Sequence, residues 1–413
     1  MYKINKIKKE LFFSYVTQFV TLLGWVFFLI FIPKYYWIDN FGILSLILSY
    51  ITLFSFLFLN SVQEWVKKEI TENRDINYKK INLYISNWIY LKLFWIIIFA
   101  PIIHLISYIF NISILLENIN LYYILCWLMS WQWLLVNIFY ALHKNIYVLY
   151  MTLFEYLIKI LLIFYFFYLW FNSLEYILFS FIIWYLFSFI IWFFILFYKI
   201  KFKFNSLNIF ISKELLKRYF WLSISSISFL LLTNIDNVMI SYFYTNLELW
   251  YYNIATNIVY KSTIFTIAIV LAILPIFHIK QEKDILKNNF KKYLFWIVWL
   301  NTLLWISILL FAGFLINLIY WSWYDSSIQI MQIIFLFPLF AVLQTFFSWI
   351  LTNFWNYKLL MFVSLWIALL NIVLNFILIN AIWLIWVSIA TIFSYFIWSL
   401  ILGIIIKTRF INN

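Results

Sequence analysis

The sequence predicts an all-α integral membrane protein of about twelve transmembrane helices, arranged as two six-helix bundles. Three observations carry that expectation. Of 413 residues, 67% are hydrophobic and 10% charged, a balance that suits a polytopic membrane protein and leaves no stretch polar enough for a separate soluble domain. The apolar residues fall into long runs divided by short polar breaks, and the basic residues are confined to every second break.

The first run, 11–35, follows the basic tail MYKINKIKKE and is too long for a cleaved signal segment, so it reads as a retained span. Runs 40–63 and 82–109 flank a break at 64–81 that holds five Lys/Arg. Runs 120–141 and 146–170 are divided by Lys144-Asn145, and 174–198 completes the first half. A basic segment, KIKFKFNSLNIFISKELLKR, then leads into runs 218–244 and 248–278. Runs 290–317, 327–352, 357–379 and 382–406 complete the second half. With the N-terminus inside, 24 of the 28 Lys/Arg lie on that side. The positive-inside rule therefore predicts a plasma-membrane protein with both termini cytoplasmic. Lys34 alone falls outside, and Lys92, Lys159 and Lys261 fall within spans.

The basic segment divides the chain into halves, 1–203 and 204–413, with six expected spans each. An even number of spans gives both halves the same orientation, so they read as parallel repeats about an axis along the membrane normal. Aligning Ile32 with Ile240 sets IPKYYWIDNFGILS against ISYFYTNLELWYYN and places Gly42 opposite Trp250. Four Gly and 24 Trp is an anomaly in opposite directions. Together they make about 7% of the chain, the ordinary glycine share. Trp37, Trp250, Trp321, Trp355, Trp383 and Trp386 fall in or beside expected turns and helix ends, where Gly is the usual residue. A gene in which UGA encodes glycine, translated with UGA as tryptophan, yields this pattern, and the natural polypeptide is expected to carry Gly at most of these positions.

Residues 230–261 read as a helical hairpin with a four- or five-residue turn near Leu247. At about 1.5 Å per residue, Asp236 lies about 16 Å and Lys261 about 21 Å from that turn, near the midplane. Ionisable groups at that depth normally face a protein interior or a polar cavity. Asn234 and Asn237 accompany Asp236, and an Asp236–Lys261 pair across the two helices is expected. In span 5, Glu155 and Lys159 have the i,i+4 spacing and the favourable order for an ion pair. Lys92 is a third buried cation, within reach of snorkelling. Gln18, Gln132, Asn137, Gln344, Asn353, Asn371 and Asn375 read as interhelical hydrogen-bonding residues.

The hairpin, with Asp236 followed by Leu249-Trp250-Tyr251-Tyr252-Asn253, resembles helices 7 and 8 of the polysaccharide (O-antigen type) flippases, members of the multidrug/oligosaccharidyl-lipid/polysaccharide exporter superfamily. The family has a glycine where this chain has Trp250. Asn371-x-x-x-Asn375 and Val387-Ser-Ile-Ala-Thr-Ile-Phe-Ser394-Tyr are similar to the family's helices 11 and 12, with Trp383 and Trp386 at its glycine positions. The resemblance implies a MATE-like transporter that carries an undecaprenyl-pyrophosphate-linked oligosaccharide from the cytoplasmic to the outer leaflet by alternating access. Lys159, Lys261 and Lys92 would then face the anionic head, while Asp236, Glu155 and Asn234 would serve coupling or gating. It further implies membrane lipid, a polysaccharide polymerase and chain-length proteins as partners, and a proton or sodium ion as the coupling species.

A cation-coupled drug exporter or a peptidoglycan-precursor flippase of the same fold stands as the alternative; the lysines favour an anionic cargo. A membrane-embedded polymerase or glycosyltransferase fits less well, since such enzymes need large polar outer loops. No phosphate-cradling loop or activated nucleophile appears, so the chain is not expected to be an enzyme. His104, His143 and His278 share no metal-ligand spacing, and the single Cys126 excludes an intrachain disulfide. The net charge of +13 belongs to the loops, which argues for the membrane and against nucleic acid.

Overall fold

The computed structural model of the chain describes all residues except 1, 36–37, 58–68, 72, 74–77, 110–118, 170–172, 199–201, 265, 268–269, 271–282, 321–323, 355, 382–383 and 412–413. In chain order the long elements are α1 (Tyr2–Tyr35), α2 (Ile38–Leu57), α3 (Tyr78–Ile109), α4 (Ile119–Ala141), α5 (Asn145–Tyr168) and α6 (Leu174–Tyr198). They continue as α7 (Ile209–Phe243), α8 (Asn246–Ser262) and α9 (Lys283–Tyr320). Element α10 comprises Asp325–Ile333 and Phe337–Asn353 joined by a 3-10 turn, and α11 (Tyr357–Ala381) and α12 (Ile385–Ile406) complete the set. Among the described residues, ten helices are long and apolar enough to cross a bilayer. The expected second and eighth spans are not among them, because α2 and α8 meet residues outside the described set before reaching their expected ends.

Two expectations shift in detail. The α7–α8 turn is only Tyr244-Thr245, shorter than expected, because α8 starts with a capping box. The Glu248 carboxylate accepts the Thr245 backbone N–H at 2.8 Å as well as the Thr245 hydroxyl, satisfying groups a longer loop would leave open. The run at 327–352 is broken by the 3-10 turn Ile334–Leu336 just before Pro338, whose missing N–H cannot sustain the i→i−4 ladder.

The chain divides into two compact units, Met1–Gly24 with Ile47–Ile227, and Trp25–Leu46 with Ser228–Asn413. The breaks fall inside α1, α2 and α7. In unit 1, α4 packs on α6 and α5, with Leu134, Leu135, Ile138 and Phe139 of α4 wholly buried and the Phe139 ring edge-on to Trp192 at 5.3 Å. Gly24 of α1 meets α5 so closely that an added Cβ would lie 2.0 Å from the Tyr156 ring. In unit 2, α12 packs between α11 and α10. Outward faces carry large apolar side chains such as Ile97, Leu310 and Leu318, as lipid contact requires. Thr152, Asn301 and Asn137 donate to the carbonyl four residues back in their own helices, so part of the polar content of the spans is satisfied locally.

Gly42 lies against the start of α8: a Cβ there would sit 2.5 Å from the Asn246 carbonyl oxygen and 3.6 Å from the Trp250 Cβ. The two positions aligned by the internal repeat are thus in contact. The Trp250 indole N–H is buried without a hydrogen-bond partner among the described residues, and so are those of Trp88, Trp95, Trp131, Trp184, Trp305 and Trp398. Buried indoles normally find an acceptor, and each orphaned donor costs about 1–3 kcal/mol. Glycine at these positions would remove the cost. Trp37, Trp321, Trp355 and Trp383 lie outside the described residues, as does His278.

Candidate functional site

Unit 2 encloses Asp236 on α7, 2% exposed. Its carboxylate collects donors from three other helices: the Tyr252 hydroxyl of α8 at 2.5 Å, the Thr391 hydroxyl of α12 at 2.7 Å and the Asn375 amide of α11 at 2.7 Å. Asn375 Nδ2 also donates to Asn371 Oδ1 at 3.2 Å, one turn earlier on the same face. All five side chains are buried. Every donor is neutral, so hydrogen bonding relieves the desolvation of the carboxylate while no residue of this cluster cancels its charge. Asn375 Oδ1 is buried and unpartnered among the described residues. The cluster therefore combines a carboxylate with amide and hydroxyl oxygens, a hard set able to accept a proton or an alkali cation. Groups of three or more His, Cys, Asp or Glu suited to a metal ion are absent among the described residues.

The expected Asp236–Lys261 pair does not form. Both carboxylate oxygens are engaged by the neutral donors, and Lys261 Nζ instead lies 4.1 Å from the ring centre of Trp25 within the same unit, a cation–π arrangement. Asn234 is also separate from the cluster: its amide donates to the Leu230 carbonyl at 3.0 Å and Thr233 Oγ1 at 2.9 Å, both on its own helix. Tyr252 and Thr391 are participants that sequence reasoning missed, and Asn371 and Asn375 were read only as hydrogen-bonding residues. The i,i+4 asparagines and the hydroxyl residues of 387–394 were the available signal.

Unit 1 holds the second charged site. Lys159 Nζ meets Glu155 Oε1 at 2.5 Å, as the i,i+4 spacing predicts, and Gln132 of α4 donates to Glu155 Oε2 at 2.8 Å. The ammonium also lies 4.7 Å from the Tyr185 ring centre and 4.9 Å from that of Phe181, both on α6. Lys159 is 5% exposed, so the charge is held within the bundle and does not snorkel. Lys92 is wholly buried as well. Its ammonium donates to the Ser130 carbonyl of α4 and lies between the Trp88 and Trp131 rings at 5.8 and 5.7 Å. Sequence alone suggested a snorkelling route for Lys92; the structure tucks it inward against α4.

Comparison with known proteins matches this architecture. The fold is shared with a MATE transporter in a bent conformation (TM-score 0.71, 12% identity, 98% of this chain and 95% of that one). It is also shared with an inward-facing multidrug resistance MATE transporter of the MOP superfamily (0.77, 11%, 95% and 96%). A third match is the lipid II flippase MurJ in an inward closed conformation (0.68, 18%, 96% and 87%). No curated protein matches the chain in sequence. Residues 7–281 match the family described as polysaccharide biosynthesis protein. With two thirds of its length covered by that family and a MOP-type all-helical fold throughout, the chain belongs to the polysaccharide biosynthesis protein family of multi-pass membrane transporters.

Proposed function

We propose that the chain flips a lipid-linked oligosaccharide of the polyprenyl-pyrophosphate type from the cytoplasmic to the outer leaflet, with both termini cytoplasmic and the halves 1–203 and 204–413 acting as repeats. The observation that carries this reading is the cations held inside the spans: Lys159 in unit 1 and Lys261 in unit 2, with Lys92 as a third. Moving a pyrophosphate through a low-dielectric core requires counter-charge near the midplane. The family match supports the oligosaccharide class. Solved structures of the same fold are a lipid II flippase and multidrug transporters; the buried lysines favour the anionic lipid over a cationic drug.

The Asp236 cluster supplies the coupling element in this reading. A proton or monovalent cation taken up by Asp236, with Asn375, Asn371 and Thr391 as oxygen donors, would neutralise the one cluster charge that its neighbours leave standing. Uptake would then change how α7, α8, α11 and α12 are held together within unit 2. Glu155 orients Lys159 and is a positioning residue.

The test is the double variant Lys159→Ala/Lys261→Ala, assayed for surface-polymer export alongside membrane insertion. Export is expected to fall to background with insertion intact. Normal export in that variant would remove both lysines from the pathway.

A further inference from the structure

Unit 1 carries a basic groove that neither charged site uses. It has a volume of about 580 Å³ and is lined by Lys79, Lys80, Asn82, Leu83, Lys203 and Asn205. Lys79 and Lys80 belong to the first turn of α3, whereas Lys203 belongs to the extended segment that links α6 to α7. That segment is pinned along α3. The Asn205 N–H donates to Ser86 Oγ at 2.9 Å, and the Asn208 N–H donates to Asn87 Oδ1 at 2.7 Å. Asn87 Oδ1 also accepts the Ser212 hydroxyl at 3.2 Å, and both Ser86 and Asn87 are wholly buried. Phe202 is buried against the Phe197 ring, and Phe204 lies 6.3 Å from Tyr90. Lys203 is thus held between two anchored rings and faces the two lysines of α3 across the groove.

Such clustering is unfavourable on its own terms. Cations at the start of a helix oppose its positive end, the three ammonium groups repel one another, and no carboxylate is among the residues that line the groove. An anion would relieve all three costs. The surroundings identify which kind of anion. Leu207, Ile209 and Phe210 are 51%, 74% and 78% exposed beside the groove, followed by Lys213 and Lys217. Large apolar side chains directed outward next to lysines are the pattern of a segment lying at the lipid–water boundary. The lining holds no aromatic or hydroxyl side chain with which to receive a sugar.

We propose that this groove binds the phosphate headgroup of an anionic phospholipid resident in the leaflet on the expected cytoplasmic side. Lys79, Lys80 and Lys203 supply the counter-charge and the Asn82 amide adds a donor. The acyl chains continue over the apolar surface begun by Leu207, Ile209 and Phe210.

The full-length protein in detergent is incubated with phosphatidylglycerol or phosphatidylcholine of identical acyl chains, and retained lipid is counted by native mass spectrometry. Wild type is expected to retain phosphatidylglycerol about tenfold over phosphatidylcholine, in keeping with the contribution of each lysine near an anionic surface. Lys79→Ala/Lys80→Ala/Lys203→Ala should lose the preference, and Lys79→Arg/Lys80→Arg/Lys203→Arg should keep it. Lys287→Ala/Lys291→Ala/Lys292→Ala, which removes the same charge from exposed positions of α9, should also keep it. If the groove triple fails to fold, Lys203→Ala alone is expected to reduce the preference about threefold. Absence of a preference in wild type, or an equal loss in the α9 triple, overturns the proposal. Displacement of phosphatidylglycerol by a polyprenyl pyrophosphate at equal or lower concentration overturns it too, reassigning the groove to the transported lipid.

Discussion

Each unit buries a carboxylate within its spans, but the two are stabilised by different means. Glu155 in unit 1 is paired by Lys159 one turn away on its own helix, and Gln132 supplies one further bond. Asp236 in unit 2 has no cation and draws three neutral donors from three other helices. The first arrangement is locally neutral and stays closed to further charge. The second is satisfied in hydrogen bonds yet still carries a net charge in a low-dielectric interior, which leaves it responsive to a proton or cation. The comparison assigns coupling to unit 2 and charge-holding to unit 1.

The largest effect that would test this contrast is at Asp236. Asp236→Asn keeps the shape and removes the charge, so export should fall to background with expression retained, whereas Glu155→Gln should leave measurable export. Comparable losses in both variants would erase the functional distinction. Next comes stability. Lys159→Met alone strands Glu155 and should destabilise unit 1 by about 3–5 kcal/mol, while Glu155→Leu/Lys159→Met should return to within about 1 kcal/mol of wild type. Thermal unfolding in detergent measures this, and a double variant no better than the single would show that the pair is not self-contained.

A smaller effect is expected from Thr391→Val, about 1–2 kcal/mol, with a similar coupling to Asp236→Asn in a double-mutant cycle. Additivity in that cycle would mean the hydroxyl contributes nothing to holding Asp236. The last test leaves activity unchanged. Unpartnered buried indoles occur in both units, at Trp131 and Trp184 as at Trp250 and Trp398, so they do not create the contrast between the sites. Mass spectrometry of the native peptide from Asn246 to Lys261 should give a mass with Gly at position 250. A mass with Trp there would return the indoles to the protein and withdraw the close-packing argument at Gly42.

The Glu155–Lys159 pair was legible because an i,i+4 spacing on a helix is a local fact, and the structure repeats it without adjustment. Asp236 was legible as an anomaly, a carboxylate too deep in an apolar run, but its partners were not. Tyr252, Asn375 and Thr391 lie 16, 139 and 155 residues away. The expected partner, Lys261, has a suitable depth and charge but turns to Trp25 instead. Depth along a helix follows from counting residues, whereas the direction in which a side chain points depends on which helix covers it.

By itself the sequence determined that this chain lives in a bilayer, that its helices are long and numerous, and that charges sit within them. Apolar run length and residue spacing are properties of single segments, and lipid imposes them without reference to neighbours. Only the tertiary structure decided that four helices converge on one carboxylate, that Lys261 stays out of that cluster, and that Lys79, Lys80 and Lys203 share a groove. The spans of this chain are apolar nearly all round, so hydrophobic pattern does not choose which faces meet; hydrogen bonding and close packing between particular side chains do.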